Sequence, residues 1–302
     1  MKHSVAGVVF LALCAAQTGR ADLTMRHTFT LKFASFLPPQ ALDAVRQQLG
    51  GRLSQGSALE LKGDRVRMSM GDMYSVADYS KGEILLVDPK TKRFATLPLA
   101  EYAGKILGSQ VLPAMPPDAQ RIFDNMKLDV KTSKTGKTET TQGIRTEESV
   151  LAISMEMGAG MQMRLEIHNW IASAEELKSA PALHDLANWA GRKREGLDPM
   201  ELMSKALTSL PGMGEKLRAP MQEMMKGTPG VVMRMQALTF VPAMAQLSGG
   251  SDEPLTQVSM DLMELSTAPV ADSRFEVPAG YQTAAIEDLI KDAIGTIKAP
   301  AR

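Results

Sequence analysis

Ser154-MEMGAGMQM-Arg164 places four methionines in two pairs, Met155/Met157 and Met161/Met163, on either side of Gly158-Ala159-Gly160. Residues two apart share one face of a β-strand. The spacing therefore predicts a hairpin, with strand 144–157, a glycine turn and strand 161–171. Each methionine pair must then face one way. Whether the sulfurs line an apolar surface, bind a metal or merely fill a core depends on what surrounds this hairpin.

Alternation continues on both sides of it. Residues 22–33 carry Leu23, Met25, His27, Phe29, Leu31 and Phe33 on one parity, which predicts a half-buried strand. Pro38-Pro39 ends it, and 40–49 reads as a short helix stopped by Gly50-Gly51. Strands are predicted at 58–70, with a turn or bulge at Gly63-Asp64, and at 73–79, 83–87 and 93–97. Their connections are short enough to require antiparallel neighbours, hence a meander. From 99 to 126 the period becomes helical, with Pro116-Pro117 opening a second helix. Strands return at 128–133 and 139–143, with Gly136 as the turn between them. Residues 174–226 form a helical, methionine-rich insert, and strands resume at 231–241 and 255–266. A short strand at 274–277 stops at Pro278, and 286–297 has the pattern of a last amphipathic helix. Strands and helices segregated in this way predict an α+β fold: a long antiparallel sheet that curls, with helices packed inside the curl.

Composition narrows the function. The 302 residues carry equal numbers of acidic and basic side chains, and only 5% are aromatic. The short run Arg192-Lys193-Arg194 is no basic patch, so no nucleic-acid partner is expected. Residues 1–21 read as a secretory signal: a positive start, an apolar run from Val5 to Ala16, and small residues at Gly19 and Ala21 for cleavage before Asp22. A lipoprotein signal wants a small residue before its cysteine and Leu13 is large, so lipidation of Cys14 is the minority reading. Removing 1–21 takes two of the 34 basic residues, Lys2 and Arg20, and leaves the 34 acidic ones, a net charge of −2. It also removes the single cysteine, so the mature chain has no disulfide. A periplasmic or secreted location is expected, with no transmembrane segment. The domain boundaries implied are 1–21 signal, 22–285 folded domain and 286–302 C-terminal helix or tail.

Several ordered motifs carry a resemblance. GDRVRMSM (63–70) leads to ILLVDPKTKRFATLP (84–98), then TTQGIRTEESVLAISM (140–155), LEIHNWIAS (165–173), GTPGVVMRMQ (227–236) and SRFEVPAGYQ (273–282). This order resembles a bacterial secreted family of unknown function allied to the LolA/LolB/LppX superfamily of periplasmic lipid and lipoprotein carriers. The resemblance implies a half-open, strongly curved antiparallel sheet with helices closing its mouth, an apolar concave face that holds acyl chains, and no catalytic group.

The methionines admit three readings. As a ligand-accommodating face, Met155, Met157, Met161, Met163, Met233 and Met235 would lie on the sheet, and Met221, Met224 and Met225 on a helical lid. Methionine suits such walls because it is flexible and polarizable. As a periplasmic Cu(I) site, thioethers from adjacent strands would converge, with His27, His168 or His184 adding nitrogen. As plain core, the same residues fill space; methionines also recur at helical spacing at 200/203 and 221/224/225. His168 shares parity with Trp170 and reads as a packed or edge histidine. The pairs Glu147-Glu148 and Asp252-Glu253 read as solvent-facing turns. No nucleophile-elbow frame and no cysteine or histidine ligand spacing is present. The expectation is a non-catalytic binding protein with no cofactor and no metal, accommodating a lipid or the acyl chains of a lipoprotein. Its alternatives are a structural or envelope-stress interaction protein with a filled core, acting through an envelope protein partner, and the Cu(I) binder.

Overall fold

The computed structural model describes residues 22–37, 56–70, 73–102, 126–157, 161–179, 230–245 and 253–289, with positions 42, 105, 183 and 186. The signal at 1–21, the helix at 40–49, most of the helical stretch at 99–126, most of the 174–226 insert and the tail beyond 289 lie outside the described residues.

Among the described residues, alternating and β-branched segments form twelve strands: β1 Leu23–Phe33, β2 Ser57–Lys62, β3 Arg65–Met70, β4 Met73–Asp78, β5 Glu83–Asp88, β6 Arg93–Pro98, β7 Lys127–Thr141, β8 Ile144–Met157, β9 Met161–Ala172, β10 Val231–Phe240, β11 Thr256–Ser266 and β12 Gln282–Thr283. Two short helices are described in full, α1 Ala174–Ser179 and α2 Pro242–Ala245. All twelve strands belong to one unclosed sheet, in the order β12-β6-β5-β4-β3-β2-β1-β11-β10-β9-β8-β7. Every pairing is antiparallel except β12 with β6. The expected α+β class and antiparallel meander are present, in a sheet made mixed by its last strand.

The sheet is rolled at one end. Gln142 and Gly143, both at positive φ (51° and 78°), turn β7 into β8. From that turn Gln142 Nε2 donates to the carbonyl of Met263 on β11 at 3.2 Å. Three strand spacings separate β8 from β11, about 14 Å in a flat sheet and well beyond a glutamine side chain. Register shifts at Arg26/His27, Val232/Arg234 and Lys134/Thr138 supply the bulges that increase local twist. The last of these corrects an expectation. Residues 128–143 are not two strands with a turn at Gly136; β7 is one long strand with a bulge there. A glycine at φ 76° serves a bulge as well as a turn.

The two ends of one face differ in how they are covered. Over β1–β6, Leu23, Met25, Leu61, Val66, Ala77, Ile84, Leu86, Ala95 and Leu97 are buried in one cluster. Leu99, Leu177, Leu183, Leu186, Ile286 and Leu289 join that cluster, as do Ala172, Val231 and Met233. Burying a leucine or isoleucine side chain contributes about 1.5–3 kcal/mol, so this half is the main core. A second, smaller cluster lies on the opposite face, where Val76, Leu85 and Val87 pack against Val270 and Phe275. The chain after β11 therefore crosses behind β2–β6 as a strap and ends by pairing β12 with β6. This is a second correction. Residues 272–275 are a 3-10 turn anchored by Phe275, not a strand at 274–277, because a buried anchor close to Pro278 fits a turn better than a ladder.

Candidate functional site

The registers of β7–β11 and β1 place mostly apolar side chains, with Thr132, Asn169, Thr239 and Thr256 among them, opposite one another in continuous rows. Val130, Ile153, Leu165, Thr239, Thr256 and Phe33 form one row across six strands. Thr132, Leu151, Ile167, Ala237, Val258 and Leu31 form the next. Asn169, Met235, Met260 and Phe29 continue the third, and Leu128, Met155 and Met163 close the β7 side. Residues directly opposite in an antiparallel pair share a face. Because Met25 and Phe29 have the same parity on β1, this face is continuous with the sealed core. It is less covered. Leu151, Ile153 and Met155 are buried, but Met163, Leu165, Ile167, Met235, Ala237, Val258, Met260, Phe29, Leu31 and Phe33 are only half-buried.

The predicted site residues fall into three groups. Met155 and Met163 are directly opposite, and the backbones of Met157 and Met161 pair in the same way. Met235 lies three strands from β7 on the same face, opposite Met260. Met233 does not join them: it sits at the bulge between Val232 and Arg234 and is completely buried in the main core. Met221, Met224 and Met225 lie outside the described residues. Met260, which the sequence adds to this face if its strand keeps register, is the direct partner of Met235; sequence reading gives Phe29, Leu31 and Phe33 no role in the site, and their single parity is the available signal.

The opposite parity of the same strands carries a polar network, beside which Val231 and Ala172 join the main core. His168 Nδ1 lies 2.8 Å from Glu148 Oε1, and the ring stacks on Trp170 at 6.2 Å. Thr135 donates to Glu148 at 2.6 Å, and Lys137 lies 3.5 Å away. Arg234 covers the Trp170 ring at 4.4 Å and pairs with Glu139 at 3.0 Å. Glu148 is buried, with a side chain only 2% exposed, so the expectation that both Glu147 and Glu148 face solvent holds for Glu147 alone. Glu148 lies mid-strand, and the bulged part of β7 bends across it. Burial alone would raise its carboxyl, but the hydrogen bonds from Thr135 and His168 and the charge of Lys137 hold it below the usual carboxylate range.

Such a carboxyl contributes stability above its unfolded pKa of about 4.3 and loses that contribution as pH falls through the lower, folded value. Urea midpoints measured from pH 7 down to pH 3 should therefore drop steeply below the carboxylate range. Glu148→Gln should start lower at pH 7 and fall less. Parallel slopes for the two proteins would show that Glu148 does not carry the acid sensitivity.

Among the described residues, no group of three or more His, Cys, Asp or Glu is placed to hold a metal ion, and no helix is long and apolar enough to cross a membrane.

No family model and no curated protein matches the chain. Among solved structures it is similar to one of PNGF-II, with 8% identity, a TM-score of 0.32, and coverage of 92% of this chain but 33% of that one. The chain thus spans about a third of that protein's length, and a likeness at this level carries no argument about fold or function.

Proposed function

We propose that the protein is a non-catalytic carrier of an apolar ligand, a lipid or the acyl chains of a lipoprotein, working in the periplasm or outside the cell. In this reading it is akin to the LolA-like carriers. Its helices pack on the concave side of the sheet, and the helical lid, including Met221, Met224 and Met225, moves to release the ligand. One observation carries the reading. The apolar rows of β7–β11 and β1 are continuous with a sealed core on the same face, yet stay half-buried and are built largely of methionine, leucine and phenylalanine. Acyl methylenes laid against such a wall gain about 0.8 kcal/mol each, and methionine repacks around irregular chains at little cost. Asp22 already belongs to the fold, its carboxylate accepting the Val270 amide at 2.6 Å, so cleavage before it would leave every described strand intact.

The test is native mass spectrometry of protein purified from its own compartment without detergent. Added mass matching a lipid is expected, and Met163→Gln with Met235→Gln should weaken retention roughly tenfold by setting amides against acyl chains. Added copper instead would establish the Cu(I) reading. A bare polypeptide, unchanged after incubation with lipid extract and Cu(I), would leave a structural or interaction protein with a filled core.

A further inference from the structure

Among the described residues, three buried side-chain nitrogens have no hydrogen-bond partner: His27 Nε2, His168 Nε2 and Arg234 Nε. Two of them have an acid at hand. Glu166 lies 3.6 Å from His168 Nε2, and Asp261 lies 3.1 Å from Arg234 Nε in an ion pair without hydrogen-bond alignment. His27 Nε2 has no such acid among the described residues. A buried donor or acceptor left unmade is costly and rare, and each instance calls for a partner.

Position says what that partner is. His27 shares parity with Met25 on one side and Phe29 on the other, so it lies on the apolar face. It marks the boundary there between the buried Leu23 and Met25 and the half-buried Phe29, Leu31 and Phe33. Its neighbours across the sheet are Leu262 on β11 and Ser57 on β2. Gly56, at φ 69°, packs so closely that an added Cβ would lie 2.3 Å from the His27 carbonyl oxygen. Burial pushes the imidazole below its ordinary pKa, so at neutral pH the ring is uncharged and can donate or accept without carrying a charge into the apolar wall.

We infer that His27 is the polar anchor of this face, and that the bound ligand carries an acyl ester whose carbonyl oxygen accepts a hydrogen bond from His27 Nε2. The inference rests on the carrier reading and sharpens it from any apolar molecule to an esterified acyl chain. A plain hydrocarbon would leave the nitrogen unsatisfied, and an ionised fatty acid would bring an unpaired carboxylate among methionines and leucines.

The test compares methyl palmitate with hexadecane on the delipidated full chain, by displacement of a bound fluorescent acyl probe. Wild type should bind the ester about tenfold more tightly, the worth of one buried hydrogen bond. His27→Phe should bind both alike. His27→Gln, whose amide still donates, should keep much of the preference and shows that loss in the phenylalanine variant is not misfolding. An unchanged preference in His27→Phe would overturn the anchor while leaving carriage standing. Failure of wild type to bind either compound would overturn carriage itself, and the anchor with it.

Discussion

Glu60→Ala is expected to lower the free energy of unfolding by about 3–5 kcal/mol, the cost of leaving a buried charge without its partner. Glu60 lies on the back of β2, its side chain only 4% exposed. It accepts from Arg67 at 3.1 Å on the neighbouring strand and from Arg274 at 2.7 Å on the strap. Arg67 is also enclosed, with its guanidinium 4.1 Å from the centre of the Tyr74 ring. Burial works against the Arg67 charge while Glu60 supports it, and the balance leaves its pKa lowered. Removing Glu60 therefore strands one guanidinium in an apolar setting and cuts the other loose. Urea denaturation would measure the loss. The paired replacement Glu60→Leu with Arg67→Met should recover most of it, since two apolar groups leave no charge unmatched. A loss under about 1 kcal/mol for Glu60→Ala would mean that water reaches the network as it does a surface ion pair.

The second large effect lies further along the same strap. Phe275→Ala should cost about 3–5 kcal/mol, the usual range for emptying a buried phenylalanine site. The ring is buried against Val76, Leu85, Val87 and Val270, with the Arg65 guanidinium 4.9 Å from its centre. The change should also loosen the chain beyond Pro278. There the amides of Gln282 and Ala284 donate to the carbonyls of Lys92 at 3.0 Å and Phe94 at 2.8 Å, and these bonds tie β12 to β6. Hydrogen exchange at those two amides should accelerate far more than exchange in β8 or β9. Equal acceleration everywhere would show that the strap and sheet unfold as one unit.

Strands are legible in the sequence wherever one face is apolar. Residues 144–157 and 161–171 form the predicted hairpin, with Met155 opposite Met163. The long β7 misleads because from Lys131 to Thr141 it holds no apolar side chain at all, so nothing distinguishes a bulge at Gly136 from a turn. β12 escapes notice because two residues cannot show a period. The Glu60–Arg67–Arg274 network is invisible for a different reason. In LELKGDRVRMSM the charged residues fall on the parity that reads as the wet face. Only the strap, whose Arg274 lies 214 positions from Glu60, makes that face an interior. Glu148 is misjudged in the same way, since alternation records which residues share a side, not which side becomes covered.

The central place of β1 sets the order in which the chain can fold. Among the described strands the first is one of the most central in the sheet, and its partner β11 is one of the last, with Thr24 opposite Ser266. Asp22 and Val270 are joined across 248 positions of chain. A ribosome that has released only the N-terminal half has made a meander with one open flank at β1 and no strap behind it. The two halves of the greasy face cannot become one surface until β10 and β11 have been made. Contacts this distant slow folding. For a chain exported unfolded, as the proposed carrier would be, that delay is useful: the native state is withheld until translocation is nearly complete.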